Sequence, residues 1–253
     1  MTTVKGLVLK EKYLGDNDKF LTILTDSMGL IEVIAKGVRK QNAKNAATAQ
    51  IFSYANFSIA TTQKGNYILN SSEPIRLFYD LRNNLSNYAL AIYMCEVMMF
   101  VSTENESNFQ ALRLILNCFH FLEKNKIPHN IIKPIFEMRL MSELGMTPYL
   151  VGCCECFKYT AEHMEFDLKN GKLYCTECAP GNISSRCAGL DEVLLDALRY
   201  ISLVDMEKLF KFRIDEDYIF ALNDITESYM RVHLNTEFKS LDFYRHINEV
   251  NII

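Results

Sequence analysis

Long hydrophobic runs are absent from this sequence of 253 residues. A membrane-spanning helix needs about 18 or more consecutive apolar residues, and the longest near-apolar stretch, residues 89–101, is interrupted by Glu96. Residues 1–5 do not resemble the start of a secretory signal peptide, because no apolar segment follows a charged one there. With eight cysteines and no export signal, we expect a protein of the reducing cytoplasm that has no membrane partner.

Catalytic motifs are also missing. The sequence contains no G-x-G-x-x-G, no phosphate-binding G-x4-G-K-[ST], no H-E-x-x-H and no G-x-S-x-G. Its five histidines, at positions 120, 129, 163, 233 and 246, are scattered. Asp16 and Asp18 could form a metal pair, but Gly-Asp-Asn-Asp is more typical of a solvated turn. We therefore predict that the protein is not an enzyme, and a nuclease or hydrolase is the least favoured class.

The sequence also lacks an excess of positive charge, because its net charge is −4. The charge is unevenly distributed. Residues 1–80 carry 10 Lys and Arg against 7 Asp and Glu, a net charge of +3, and the remaining residues carry 17 against 24, a net charge of −7. General binding to nucleic acid is not indicated. Any nucleic-acid surface should lie mainly in the first third of the chain.

The first third has the pattern of short β-strands. Apolar or alternating segments at residues 4–9, 20–25, 30–35, 51–62 and 67–69 are separated by turn-forming residues. Along 51–62 two sets of side chains alternate, one of them containing Ala55, Phe57 and Ile59. Five short strands in this length predict a small closed barrel, for which the five-stranded OB-fold is the natural candidate. We expect Glu73-Pro74 to end it.

Helical periodicity replaces the strand pattern after the barrel. Apolar residues recur at spacings of three and four over residues 85–100, 109–122, 131–140, 190–201 and 218–232. Strands followed by helices, rather than alternating with them, indicate an α+β protein with separate domains. We predict a nucleic-acid-binding OB-fold at 1–80 and an all-α domain at 81–253, into which a zinc-binding hairpin at 150–182 is inserted.

Four cysteines form the strongest motif: Cys153, Cys156, Cys175 and Cys178. Two C-x2-C pairs separated by 18 residues have the spacing of a four-thiolate zinc site. Four thiolates close the tetrahedron that structural zinc prefers and leave no open position for catalysis. Between the pairs, Asn170-Gly171 predicts a β-hairpin. Redox thiols or disulfides are weaker alternatives, because neither a βαβ pattern nor secretion is indicated.

Other potential ligands accompany this quartet. Cys154 is an extra thiol that could exchange with Cys153 as a ligand, although a free thiol is the simpler interpretation. His163 lies in the same loop and could replace a thiolate. Cys95 and Cys118 fall within apolar helical patterns, which predicts buried core thiols. Cys187 is isolated.

A basic loop lies between the third and fourth predicted strands. Its four cationic residues are Lys36, Arg39, Lys40 and Lys44. A solvated loop is the ordinary interpretation of such a segment. Three features favour a nucleic-acid contact instead: its place in a predicted OB-fold, the acidity of the rest of the chain, and aromatic residues on neighbouring strands on which bases could stack. Those aromatic residues are Tyr54, Phe57 and Tyr67.

A series of short segments, in a fixed order along the chain, carries a family resemblance. They are residues 6–9, 13, 15–18, 20–25, 29–30, 35–40, 136–140, 144–148, 229, 233–234 and 239–241. No segment is specific alone, but together they resemble the RecO family of bacterial DNA repair proteins over essentially the whole length. The resemblance implies an N-terminal OB-fold, a helical C-terminal domain with a zinc-binding insertion, and a non-enzymatic role in recombinational repair in the bacterial cytoplasm, associated with the nucleoid.

The resemblance also implies partners. RecO proteins bind single- and double-stranded DNA, anneal complementary strands, engage RecR and the C-terminal tail of single-strand-binding protein, and thereby help RecA to load onto coated strands. By position it makes the basic loop the DNA contact and the four cysteines the ligands of one structural Zn²⁺. Two features depart from the family pattern: the extra Cys154, and an acidity that implies a modest or RecR-dependent DNA affinity. The alternative is a zinc-containing protein–protein adaptor without direct DNA contact.

Overall fold

The computed structural model describes residues 1–180 and 187–250. It divides into two compact units, one formed by residues 1–126 with 238–250 and the other by Ile127–Glu237. The predicted hairpin range 150–182 and the predicted helical range 81–253 both extend into residues outside those described. Each unit has its own buried core.

Five strands in the first unit form a closed barrel with the order β1-β2-β3-β5-β4. They are β1 Thr2–Leu14, β2 Asp18–Thr25, β3 Leu30–Ala35, β4 Ser53–Thr61 and β5 Tyr67–Leu77. All pairings are antiparallel except that of β3 with β5, which is parallel. The predicted OB-like barrel is therefore confirmed, because five short strands with one parallel closure leave no free sheet edge.

The alternation along β4 sets which side chains fill the barrel. Ala55, Phe57 and Ile59 are buried in its core, whereas Tyr54, Asn56 and Ser58 between them are partly exposed. On β1 the register shifts between Val8 and Lys10. A bulge of this kind increases the local twist that a small barrel needs for closure.

The fifth strand is longer than predicted. The expectation that Glu73-Pro74 ends the barrel is wrong, because β5 continues through Pro74 to Leu77 and pairs with β4 over that length. Proline lacks an N–H group and is tolerated in sheets chiefly at irregularities. Pro74 lies opposite Ala55, beside a register shift between Tyr54 and Ala55, so the irregularity accommodates it.

Seven α-helices follow in the described part of the chain: α1 Leu85–Val101, α2 Phe109–Glu123, α3 His129–Glu143, α4 Glu192–Leu203, α5 Met206–Leu209, α6 Glu216–Leu234 and α7 Lys239–Val250. A 3-10 turn, Tyr79–Asn83, precedes α1. The Asn84 and Asn108 side chains cap α1 and α2, because each accepts a hydrogen bond from a first-turn N–H group. None of these helices combines the length and apolar character that a bilayer crossing requires.

The first unit contains α1, α2 and a helix that the periodicity did not predict, α7. Ser86 donates a 2.8 Å hydrogen bond to Asn248, Ser240 binds the Glu96 carboxylate, and the Phe238 ring meets Tyr93 edge-on at 5.9 Å. The helix α7 is therefore an addition to the predicted helical segments, of which 218–232 lies farthest along the chain.

The second unit packs α3 against α4 and α6 and carries a three-stranded sheet, β7-β6-β8. Its strands are β6 Met164–Asp167, β7 Lys172–Cys175 and β8 Cys187–Leu190. Between α3 and α6, the buried Lys133 ammonium lies 2.9 Å from Glu137 and 3.1 Å from Glu227. A buried charge of this kind is tolerated only when paired, so these contacts fix how the two helices face each other.

Candidate metal centre and candidate nucleic-acid interface

The first C-x2-C pair forms a tight turn. The N–H of Cys153 donates to the Lys158 carbonyl and that of Phe157 donates to the Cys153 carbonyl, both at 2.9 Å. Phe157 has a φ of 60°, the left-handed conformation that reverses the chain direction just after Cys156. Both cysteine side chains consequently point to the same side of the turn.

The second pair follows the predicted hairpin. β6 and β7 pair with Cys175 opposite Met164, and Gly171 has a φ of 63° in the connecting turn. The N–H groups of Cys178 and Ala179 donate to the Cys175 carbonyl at 3.0 and 2.9 Å. The hairpin is confirmed, and β8, which the sequence pattern did not predict, adds a third strand beside β6.

The four sulfur atoms of the two turns converge. They lie within 4.8 Å of one another, and the Cys156 and Cys175 sulfurs are 3.7 Å apart. Four ligands at about 2.3 Å from a central zinc ion would lie about 3.8 Å from each other in a tetrahedron. The quartet therefore has the dimensions needed to hold one metal ion, and thiolate ligands favour soft or borderline metals.

The quartet combines thiols of unlike acidity. Burial acts to raise the pKa of Cys153, but hydrogen bonds from neighbouring backbone N–H groups, beginning with that of Cys156, lower it to about 6. Hydrogen bonds to the Cys175 and Cys156 sulfurs raise the pKa of Cys178 to about 12. Four thiols this close cannot all ionise without a cation, so metal binding would release the remaining protons.

The other cysteines lie outside this centre. Cys154 donates its N–H to the Leu173 carbonyl at 2.8 Å, which ties the first turn to β7, but its sulfur is not one of the four. His163 is exposed and is likewise not part of the quartet. The predicted burial of Cys95 and Cys118 is confirmed, and burial raises the pKa of both thiols. Cys187 lies on β8, half-buried.

Arg199 on α4 supports the first turn, a contact that residue spacing did not reveal. Its Nε donates to the Leu150 carbonyl at 2.8 Å, and its Nη2 donates to the carbonyls of Val151 and Tyr159. These carbonyls lie just before Cys153 and just after Cys156. One buried guanidinium thus donates hydrogen bonds to backbone carbonyls at both ends of the turn.

The basic loop joins β3 to β4, as predicted, and its four cationic side chains are exposed. The loop is fastened to the β1–β2 turn. The Gly37 N–H donates to the Asp18 carboxylate at 2.7 Å, and the Arg39 N–H donates to the Asn17 carbonyl at 3.0 Å. The Asp18 carboxylate thus helps to hold the turn and the loop together. This agrees with the interpretation of Asp16 and Asp18 as turn residues rather than a metal pair.

The second half of the loop is also anchored. The Asn45 side chain accepts hydrogen bonds from both the N–H and the hydroxyl of Ser72 on β5, at 3.1 and 3.0 Å. Val38 and Ala49 are buried in the barrel core. The loop therefore presents its four cations from a defined backbone, which would lower the entropy cost of binding a charged ligand there.

The three aromatic residues singled out on neighbouring strands differ in placement. Phe57 points into the barrel and is fully buried, so it is core and not a stacking surface. Tyr54 and Tyr67 are partly exposed, and the Tyr67 hydroxyl donates to Glu104 at 2.9 Å, which raises its pKa. The most exposed barrel aromatic is Tyr13, which the strand argument did not select.

The two parts of the chain match two family models. The model described as Recombination protein O N terminal matches residues 1–78, and the one described as Recombination protein O C terminal matches residues 82–242. The chain belongs to the RecO family. The predicted division at residue 80 falls between the two matched RecO ranges and stays a prediction, because the compact units of the structure meet elsewhere in the chain.

Curated RecO relatives align over nearly the full chain. A DNA repair protein RecO from Alkaliphilus metalliredigens is 30% identical over 244 residues, which cover 96% of this chain and 98% of the relative. Proteins of the same name from Acetivibrio thermocellus and Caldicellulosiruptor saccharolyticus are each 29% identical, covering 97% and 96% of this chain and 96% and 97% of the relatives, respectively. RecO membership indicates a role in DNA repair and recombination.

Proposed function

We propose that this protein is a recombination mediator that binds single- and double-stranded DNA and anneals complementary strands without catalysing a covalent step. The observation that carries the proposal is the basic loop: Lys36, Arg39, Lys40 and Lys44 are exposed on a loop that hydrogen bonds fix to an OB-like barrel. Cations on such a loop neutralise phosphates and release counterions, so binding weakens as salt rises.

Annealing fits this surface because it requires no catalyst. Two complementary strands repel each other through their phosphates, and a protein that screens this repulsion lets base pairing proceed. Residues 1–80 have a net charge of +3, whereas the rest of the chain has a net charge of −7. Strands would therefore gather at one surface rather than coat the whole protein.

We propose that the second unit supplies the docking site for the C-terminal tail of single-strand-binding protein. That tail, acidic and hydrophobic, requires an apolar groove with nearby cations. A groove of about 700 Å³ along α4 and the segment after α5 is lined by apolar side chains, which include Val193 and Phe212, and by the cations Lys211 and Arg213. Asp196 and Asp215 also line this groove, which would favour a tail that keeps its carboxylates at the Lys211 and Arg213 side.

One structural zinc ion, bound by Cys153, Cys156, Cys175 and Cys178, completes the proposal. A filled four-thiolate shell has no position for substrate. Five acidic residues and three lysines lie between residues 152 and 180, with no arginine, so this centre is not the expected DNA contact. Its task would be to hold the hairpin on the second unit.

The experiment that tests the proposal is annealing of complementary strands coated with single-strand-binding protein, with and without RecR. Accelerated annealing that falls as salt rises is expected, together with faster RecA loading when RecR is present. Binding to single-strand-binding protein and RecR without any binding to DNA at low salt would contradict the mediator function and favour the adaptor.

A further inference from the structure

Tyr13 lies near the end of β1 and is 70% exposed. The guanidinium carbon of Arg39 lies 4.0 Å from the centre of its ring, within the distance of a cation–π contact. The cation covers one face of the ring. With so much of the side chain open to solvent, the opposite face is free to receive a planar ligand.

The Arg39 side chain is itself held in place. Its Nη1 donates to the Gly15 carbonyl at 3.1 Å, and its backbone N–H donates to the Asn17 carbonyl at 3.0 Å. Both acceptors belong to the turn that directly follows Tyr13. The ring and the guanidinium are therefore fixed relative to each other before any ligand arrives, which lowers the entropy lost on binding.

The charge around this ring suits a phosphate-linked ligand. Lys36 and Lys40 are exposed on the loop that carries Arg39. Asp16 opposes them, but Asp18 is engaged with the Gly37 N–H group. Single-strand-binding surfaces combine exposed aromatic rings with nearby cations. Bases stack on the rings, and the cations contact the phosphates.

We propose that Tyr13, backed by Arg39, is a stacking platform for one unpaired nucleobase. The platform rests on the proposed DNA function and adds a base contact to its phosphate contacts. Bases inside a duplex already stack on both sides, so the platform favours single strands over duplex DNA. Stacking uses the face of a base and leaves its hydrogen-bonding edge free, so a base held by Tyr13 can still pair with a complementary strand.

The second unit contains a similar pair of a tyrosine ring and an arginine guanidinium, but without the surrounding excess of cations. The Arg199 guanidinium carbon lies 3.9 Å from the centre of the Tyr159 ring, and Tyr159 is 60% exposed. Glu155 and Glu162 are nearby in sequence and exposed, and the neighbouring Lys158 ammonium is paired with the Glu177 carboxylate at 3.4 Å. Tyr159 therefore serves as an internal control, because the ring and cation are alike and the neighbouring charges differ.

The sequence contains no tryptophan, so one introduced indole reports from a single position. We would titrate the full-length variants Tyr13→Trp and Tyr159→Trp with a short oligo(dT) strand and record tryptophan emission. In parallel, the anisotropy of a labelled strand would measure binding itself. We expect emission from Trp at 13 to fall on binding and emission from Trp at 159 to stay constant, at similar affinities.

A second variant measures the contribution of the ring. Tyr13→Leu removes the aromatic face, and we expect oligo(dT) binding to weaken about 5- to 150-fold, the range of one base-stacking contact, with a smaller loss for duplex DNA. Tyr13→Phe should bind oligo(dT) as the unchanged protein does. Thermal unfolding midpoints equal to that of the unchanged protein would establish that each variant is folded.

The outcomes separate this inference from the proposed function. The stacking platform is overturned if strands bind normally but tryptophan emission at position 13 is not quenched. It is also overturned if emission is quenched equally at positions 13 and 159. In both cases the basic loop remains a proposed DNA contact. Equal weakening of single-strand and duplex binding by Tyr13→Leu also overturns it. No binding of any strand by the unchanged protein at low salt overturns both proposals together.

Discussion

Arg199 holds Tyr159 by two different contacts. Its Nη2 donates to the Tyr159 backbone carbonyl, and its guanidinium carbon lies 3.9 Å from the centre of the ring. The same side chain donates from Nε to the Leu150 carbonyl. Because residues 150 and 159 flank the first cysteine pair, the shape of that turn depends on a helix about 40 residues later in the chain.

We predict that Arg199→Met destabilises the protein by about 2–4 kcal/mol, because three backbone carbonyls lose a charged donor in a buried setting. Unfolding by urea, followed by circular dichroism, would measure the loss. Asp196→Asn is the matched control: Asp196 pairs with Arg199 at 3.2 Å but its side chain is 61% exposed, so its loss should cost less than about 1 kcal/mol. Equal losses in the two variants would contradict this account.

We predict that the unchanged protein contains one zinc ion per chain and that Cys175→Ser loses it. The serine oxygen is a poor substitute for a thiolate, and the hairpin should become less stable without the ion. Elemental analysis and thermal unfolding would measure both effects. Cys154→Ser is the control, because Cys154 lies beside the centre but outside the quartet. Metal loss in Cys154→Ser, or full metal content in Cys175→Ser, would mean that the ligand assignment is wrong.

We predict that Arg39→Ala combined with Lys40→Ala weakens single-strand binding and flattens its salt dependence. Loss of two phosphate contacts should reduce the slope of log K against log salt by about 1.4. Fluorescence anisotropy over a range of salt concentrations would measure it. The pair Lys169→Ala with Lys172→Ala removes two exposed lysines from the zinc hairpin and should leave the slope unchanged. An unaltered slope in the first pair would reject the basic loop as a contact.

We predict that Gly29→Ala destabilises the barrel far more than Gly65→Ala. Both glycines have positive φ, 69° and 84°, which costs alanine about 1–2 kcal/mol. At Gly29 a Cβ atom would also collide with backbone, lying 2.7 Å from the Glu106 carbonyl oxygen. At Gly65 no described heavy atom lies within 4 Å of that position. Similar unfolding midpoints for the two variants would contradict the predicted collision.

Local patterns were enough to predict the barrel, its basic loop and the cysteine quartet. Alternation along β4 and the spacing of two C-x2-C pairs are properties of neighbouring residues, and the physical constraints behind them act over a few positions. The Asn170-Gly171 turn belongs to the same class. The strands β2, β3 and β4 have bounds close to those expected, and the four cysteine sulfurs converge.

Features that depend on distant partners were missed. The extension of β5 past Pro74 depends on an irregularity in β4, and the role of Arg199 depends on carbonyls about 40 to 50 residues earlier. Tyr13 was overlooked because its exposure follows from the direction of β1 at the rim of the barrel. The α7 helix left a usable signal, since the buried Leu241, Tyr244 and Ile247 recur every three residues.

The packing of α7 on α1 has a consequence for synthesis of the protein. The first unit contains residues 1–126, yet Ser86, Glu96 and Tyr93 find their partners on α7 or at Phe238 just before it. A ribosome must therefore add more than 100 further residues before these contacts can form. We infer that the barrel can assemble early on the nascent chain, whereas α1 keeps an uncovered face until Phe238 and α7 have been synthesised.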